Sequence, residues 1–177
     1  MSTYYERELK GILSADKQLL QRITKARDLI TATNYQKIEK NPFMVIRAAG
    51  SFGVDLIAIS SEMALPIEVK TSVYKVLRFG GTRMEEQAEE MVRSCERCGV
   101  MPIYAYRLKK PPKIKMDPWS IFTIEMEGLK GFQRFFHQKI PKLRTTAQGN
   151  YVMEWEEGIP LSEFIFKRFE LITEWEK

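Results

Sequence analysis

The chain has 177 residues with a formal net charge of +5 and a pI of about 9.1. That length suits one ordinary domain, or a core of about 110 residues with an extension, and the apolar content is normal for a globular protein. No apolar leader opens the chain and no run approaches a bilayer span, so a cytoplasmic protein without membrane association is expected. The basic residues gather in Lys75 to Arg83, Arg107 to Lys115 and Lys130 to Arg144, which points to a polyanionic partner.

Tyr4 to Leu13 reads as a helix with Tyr5, Leu9, Ile12 and Leu13 on one side. Ser14, read as an N-cap, opens a second helix on Leu19, Ile23, Ala26 and Ile30, running to residue 32 or beyond. Asn41 and Pro42 break it. Phe43 to Arg47 is then a strand, residues 48–51 a tight turn, and Gly53 to Ile59 and Leu65 to Lys70 two more strands. Val73 to Gly81 reads as a mobile basic loop containing Lys75, Arg78 and Phe79. Thr82 caps a long helix to Cys98, ended by Gly99, and Pro102 to Arg107 follows as a strand.

This order predicts an α/β core: an antiparallel meander of three strands, then a helical crossover that adds the fourth strand in parallel to an inner one. Cys95 and Cys98 lie on the helix stripe of Met84, Ala88 and Met91. With no second pair and a single His, His137, they read as buried core thiols and not a zinc site. The run Lys109-Lys110-Pro111-Pro112-Lys113 marks a seam. Beyond it, Trp119 to Ile124 and Tyr151 to Glu156 read as strands, Leu129 to Gln138 as an amphipathic segment and Leu161 to Trp175 as a closing helix, with Phe164, Phe166, Phe169 and Trp175 as packing residues. The expected division is a core over 1–110, with a helical insertion over about 15–41, and an α+β extension over 111–177 packed on it.

The chemistry concentrates in the second and third strands. Asp55 precedes Leu56-Ile57-Ala58-Ile59, and Glu68 and Lys70 flank Val69, so both project from one face of a strand. A Glu-x-Lys pair is often a surface ion pair of little worth. Here both acids stand in apolar runs, where a charge is costly to bury without a partner or an ion. Two such carboxylates need something positive between them, and hard oxygen ligands suit Mg²⁺, with Mn²⁺ as a substitute. The spacing reads as a metal site for phosphodiester chemistry.

Several motifs in this order resemble the archaeal Holliday junction resolvases of the PD-(D/E)xK nuclease superfamily. They are Glu6-Arg7-Glu8-Leu9 on a first helix, Ile46-Arg47-Ala48-Ala49-Gly50-Ser51, Val54-Asp55, Ile67-Glu68-Val69-Lys70, and Glu86-Gln87-Ala88-Glu89, spanning residues 4 to 107. The resemblance implies a restriction endonuclease-like fold, with a central mixed sheet flanked by helices. It also implies a Mg²⁺-dependent endonuclease, a homodimer acting on branched four-way DNA junctions by paired cuts. Asp55, Glu68 and a first-helix acid, Glu6, would bind metal, aided by the Val69 carbonyl. Lys70 would activate the attacking water, Ser51 would lie near the scissile phosphate and Gln87 would support the site. Val54 stands where the family usually has proline. The insertion between Leu13 and Asn41 leaves Glu8, Asp28 and Glu39 as alternatives to Glu6. Lys75, Arg78 and Arg83, with Arg47, are the expected DNA contacts, and Phe79 is expected at the loop tip as a wedge at the junction centre. A repair or restriction-type nuclease on another DNA structure, and a non-catalytic DNA-binding subunit, are the competing readings.

Overall fold

Leu9, Ile12 and Leu13 repeat at helical spacing and turn one side of α1 (Tyr4–Leu13) into the core. The computed structural model describes residues 4–48, 53–113 and 115–175. Ser51 and most of the expected turn at 48–51 lie outside them. The single helix expected after Ser14 is two, α2 (Lys17–Thr24) and α3 (Leu29–Gln36). Asp16 and Asp28 cap them by accepting from the N–H groups of Leu19 and Thr31, both at 2.9 Å. Ser14 instead donates back to the Lys10 carbonyl at the end of α1. Two short polar side chains that offer caps twelve residues apart divide an otherwise continuous apolar pattern.

The strands follow as β1 (Met44–Arg47), β2 (Leu56–Ile59) and β3 (Ala64–Ser72), an antiparallel meander. The segment expected as a mobile loop contains β4 (Val76–Arg78). Phe79 is not at a tip. It is 1% exposed and packs against Tyr104 and Tyr151, with ring centroids at 5.6 and 6.1 Å. Burying an aromatic ring outweighs the freedom that Gly80 and Gly81 give the backbone. Helix α4 (Thr82–Cys98) starts after Gly81, which occupies the N-cap position expected for Thr82, and ends at Gly99 in the left-handed conformation. Cys95 is buried, and burial pushes its thiol up to about 12. Cys98, one turn later at the helix end, is exposed, against expectation.

Strand β5 (Ile103–Leu108) pairs in parallel with β3, as the crossover predicts. The remaining elements are β6 (Trp119–Phe122), α5 (Gly131–Lys139), β7 (Arg144–Thr145), β8 (Tyr151–Glu154), β9 (Ile159–Pro160) and α6 (Leu161–Trp175). Six strands form one mixed sheet in the order β1-β2-β3-β5-β6-β9, and β4-β8-β7 form a small second sheet. A central mixed sheet flanked by helices is thus the expected fold class.

Paired residues share a face of a sheet. Glu68, Tyr104 and Phe122 therefore lie on one face with Lys70, Tyr106 and Ser120. Met84 and Ala88 of α4 and the Phe79 ring gather against that face around Tyr104. On the other face, Glu8 of α1 accepts from Arg107 Nε at 3.0 Å and Trp119 Nε1 at 2.8 Å.

The chain beyond residue 110 is tied into this core by buried polar groups. Asp117 accepts from the Tyr35 hydroxyl at 2.7 Å, from Trp119 N–H at 3.0 Å and from Ser162 N–H at 2.8 Å, linking α3, β6 and the start of α6. Arg168 of α6 donates to the Asn41 carbonyl at 2.6 Å and to Glu62 at 3.0 Å, and lies 4.0 Å from the centre of the Phe43 ring. Removing one member of such a group strands the others. Arg168→Ala is expected to cost about 2–3 kcal/mol in urea unfolding, because it leaves Glu62 without its cation; a loss below about 0.5 kcal/mol, the surface range, would show that the contact is idle.

Candidate active site

The ladder between β2 and β3 opens at Asp55. The Asp55 N–H still donates to the Ile67 carbonyl at 2.9 Å. The next donor on that edge of β3, the Val69 N–H, is taken at 2.8 Å by the carboxylate of Asp55 itself. A side chain thus replaces a backbone acceptor where the two strands part. The N–H and C=O of one strand residue point to the same edge, so the Val69 carbonyl faces this opening too.

Glu68 and Lys70 stand on the face toward α4. Lys70 Nζ donates to Glu68 Oε1 at 2.6 Å and lies 5.9 Å from the centre of the Phe79 ring. The two side chains are only 12% and 19% exposed, so water screens them weakly. Burial pushes Glu68 up to about 7, with the Asp55 charge adding to it and the Lys70 ammonium opposing it. Burial likewise raises Asp55, opposed by the Val69 hydrogen bond, and the charge of Glu6 raises it further. Asp55 thus feels the charge of Glu6 and shares a side-chain hydrogen bond with Glu68, beside the Lys70 ammonium.

The effect of Glu6 on Asp55 separates it from the alternatives. Glu8 is buried in its bonds to Arg107 and Trp119, Asp28 caps α3, and Glu39 is exposed on the turn after α3. Gln87 lines the same recess as Glu68 and Lys70, together with Gly53, Phe79 and Tyr104. Gly53, at φ +67°, is a site residue that sequence reasoning missed. A Cβ there would stand 3.3 Å from Cβ of Gln87, so glycine lets the backbone leading to Asp55 pass α4. Its signal was the glycine just before Val54-Asp55. Tyr104 was missed as well, because only register shows that it stands beside Glu68.

Of the expected DNA contacts, Arg47, Arg78 and Arg83 are exposed. Lys75 is paired with Glu156 at 2.6 Å. Arg83 lines a shallow groove with Gln87 and Arg93. Among the described residues, no three acidic, histidine or cysteine side chains close into a ready ligand set. The donor chemistry nevertheless fits a hard divalent cation: carboxylate oxygens and a strand carbonyl face one opening with more negative charge than Lys70 offsets.

The family model for the archaeal Holliday junction resolvase (Hjc) matches residues 27–173. The chain belongs to this family, and its function is that of a Holliday junction resolving nuclease. The match continues through β6, β9 and most of α6, well past residue 107, and it begins after α1, so Glu6 lies outside it. Among solved structures the chain is similar to Hjc from the archaeal hyperthermophile Archaeoglobus fulgidus, with a TM-score of 0.46 and 21% identity over 70% of this chain and 81% of that one. No curated protein sequence matches the chain.

The raised Glu68 carboxyl has a consequence for stability. An unfolded Glu titrates near 4.5 and the folded one at about 7, so the native state binds more protons between these values and loses stability as pH rises through that window. Glu68→Gln holds the group neutral. In metal-free buffer the variant should melt above the wild type at pH 8 and with it at pH 4, and equal melting temperatures at both pH values would refute the assigned burial cost.

Proposed function

We propose that the chain hydrolyses four-way junctions at the Asp55–Glu68–Lys70 centre with the help of a divalent cation, Mg²⁺ in the first instance and Mn²⁺ as a substitute. The observation that carries this reading is the pair of half-buried carboxylates, Asp55 at the opening of the β2–β3 ladder and Glu68 beside it with Lys70. Asp55, Glu68 and the Val69 carbonyl would hold the cation, with Glu6 as the first-helix acid. When bound, it would offset the charge that builds on the phosphoryl oxygens and lower the pKa of a coordinated water.

The chain's own residues supply the rest. Lys70 Nζ, on the same face as Glu68, is the positive neighbour that orients and steadies the attacking water. Gln87 braces the recess from α4, and Ser51 is the carried-over residue for the scissile phosphate. Arg47, Arg78 and Arg83, joined by Lys75 once it leaves Glu156, are the proposed backbone contacts. Surface pairs of that kind are weak enough for a phosphate to displace them. A junction has approximate two-fold symmetry, so paired cuts call for an isologous homodimer that presents one site to each of two opposed strands.

Asp55→Ala and Glu68→Ala should each lower cleavage of a mobile four-way junction by at least about a hundredfold, while binding persists or tightens because a negative charge facing the phosphates has gone. Lys70→Ala should lower cleavage likewise in a protein that still folds. Metal-dependent cutting retained by either carboxylate variant would refute the site. Glu6→Ala should reduce cutting in a protein that still folds, whereas Glu8→Ala should destabilise the fold, and full cutting by Glu6→Ala would overturn the first-helix assignment. Light scattering of the wild type tests the dimer.

A further inference from the structure

Phe79 is buried, yet an exposed aromatic side chain follows the strand that carries Glu68 and Lys70. Tyr74 is 74% exposed, with Val73 and Val76 beside it at 48% and 40%. It lies two residues beyond the end of β3, the strand that carries Glu68 and Lys70. Its backbone is pinned on both sides. The N–H donates to Ser72 Oγ at 3.0 Å, and the carbonyl accepts from the buried Tyr106 hydroxyl at 2.6 Å. The next carbonyl, that of Lys75, accepts from Trp155 N–H at 2.7 Å. A large ring is thus held out in water on a backbone fixed at three consecutive hydrogen bonds, so little freedom remains to be lost when something stacks on it.

The surroundings are cationic. Lys75 and Arg78 follow in sequence and are exposed. Lys109 donates its N–H to the Ser72 carbonyl at 2.8 Å, which brings Lys109 and the exposed Lys110 to the same edge of the sheet. The Lys109 ammonium lies 6.0 Å from the Tyr5 ring, against which the 60% exposed Tyr4 packs edge-on, and Tyr5 precedes Glu6. Exposed aromatic rings between lysines at the edge of a phosphodiesterase centre have the chemistry of a surface for unstacked nucleobases. The cations take the backbone, and any base can offer its flat face to a ring.

We propose that Tyr74 is a stacking site for a base left without a stacking neighbour at the branch point of the junction and that it gives the chain part of its preference for branched over linear DNA. In a linear duplex every base is already stacked on its neighbours, so the ring gains nothing there. At a branch point the stack is interrupted, and the ring replaces the missing neighbour. The inference rests on the junction-resolving reading and adds to it the residue that distinguishes the branch.

The test uses an immobile four-way junction carrying 2-aminopurine next to the branch point, and a linear duplex of the same sequence, both in EDTA so that nothing is cut. Wild type should bind the junction in preference to the duplex and change the 2-aminopurine emission. Tyr74→Ala, whose melting temperature should be unchanged because the ring is exposed, is expected to bind the junction about tenfold more weakly with the duplex unaffected, and to lose the emission change. Tyr74→Phe should retain both, since stacking needs the ring and not the hydroxyl. Junction binding and emission that survive Tyr74→Ala overturn the proposal. So does an equal loss on both DNAs, which marks a general backbone contact, or no loss on either, which leaves Tyr74 to a protein partner. A wild type that does not prefer the junction refutes the parent reading and this one with it, whereas failure of Tyr74→Ala alone leaves the parent reading standing.

Discussion

The hydrogen bond from the Val69 N–H to the carboxylate of Asp55 decides where this site can be. Over residues 56–59 of β2 and 64–67 of β3 the two backbones satisfy each other. At Asp55 the strands separate, and a buried N–H without a partner would cost the fold its desolvation penalty. A short side chain with an acceptor at its end fills that role, and its carboxyl also meets the side chain of Glu68. The residue that repairs the sheet is also the residue that marks its opening, so the structural and chemical demands on this position coincide in one Asp.

Glu68 and Lys70 pair on the α4 side as a half-buried ion pair, with Asp55 close by. Burial is what holds the Glu68 proton to about 7, the Asp55 charge adds to it, and the charge of Glu6 acts in turn on Asp55. A structure selected only for stability would relieve this by replacing one acid. On the proposed reading that site is completed by a cation, which agrees in kind with membership of a nuclease family.

The sheet was largely legible because its signals are local: alternating apolar residues, a glycine-ended helix long enough for a crossover, and turn residues between them. The carboxylates were legible for the same reason, since a charge in a short apolar strand is conspicuous. What misled the sequence reading were long-range decisions. Nothing near Phe79 says that Tyr104 and Tyr151, 25 and 72 residues away, will close over it, and a Gly-rich stretch beside it reads as a loop. The break between α2 and α3 was visible in Asp16 and Asp28, but a continuous apolar stripe hid it. Cys98 followed the same stripe one turn too far. The partnership of Glu8 with Trp119 across 111 positions has no local trace at all.

That last contact shows what the final third of the chain does for the site. Trp119 opens β6, and its indole together with Arg107 of β5 holds the Glu8 carboxylate against the face of the sheet opposite α4. Glu8 lies just over half a helical turn from Glu6, so fixing one fixes the direction in which the other points. Asp117 fixes Trp119 in turn through its N–H and reaches Tyr35 and Ser162, so α3 and α6 join the same network. The helix that carries the acid acting on Asp55 is therefore seated by residues about a hundred positions later. A segment that carries none of the proposed metal ligands thus helps to seat the helix that carries Glu6.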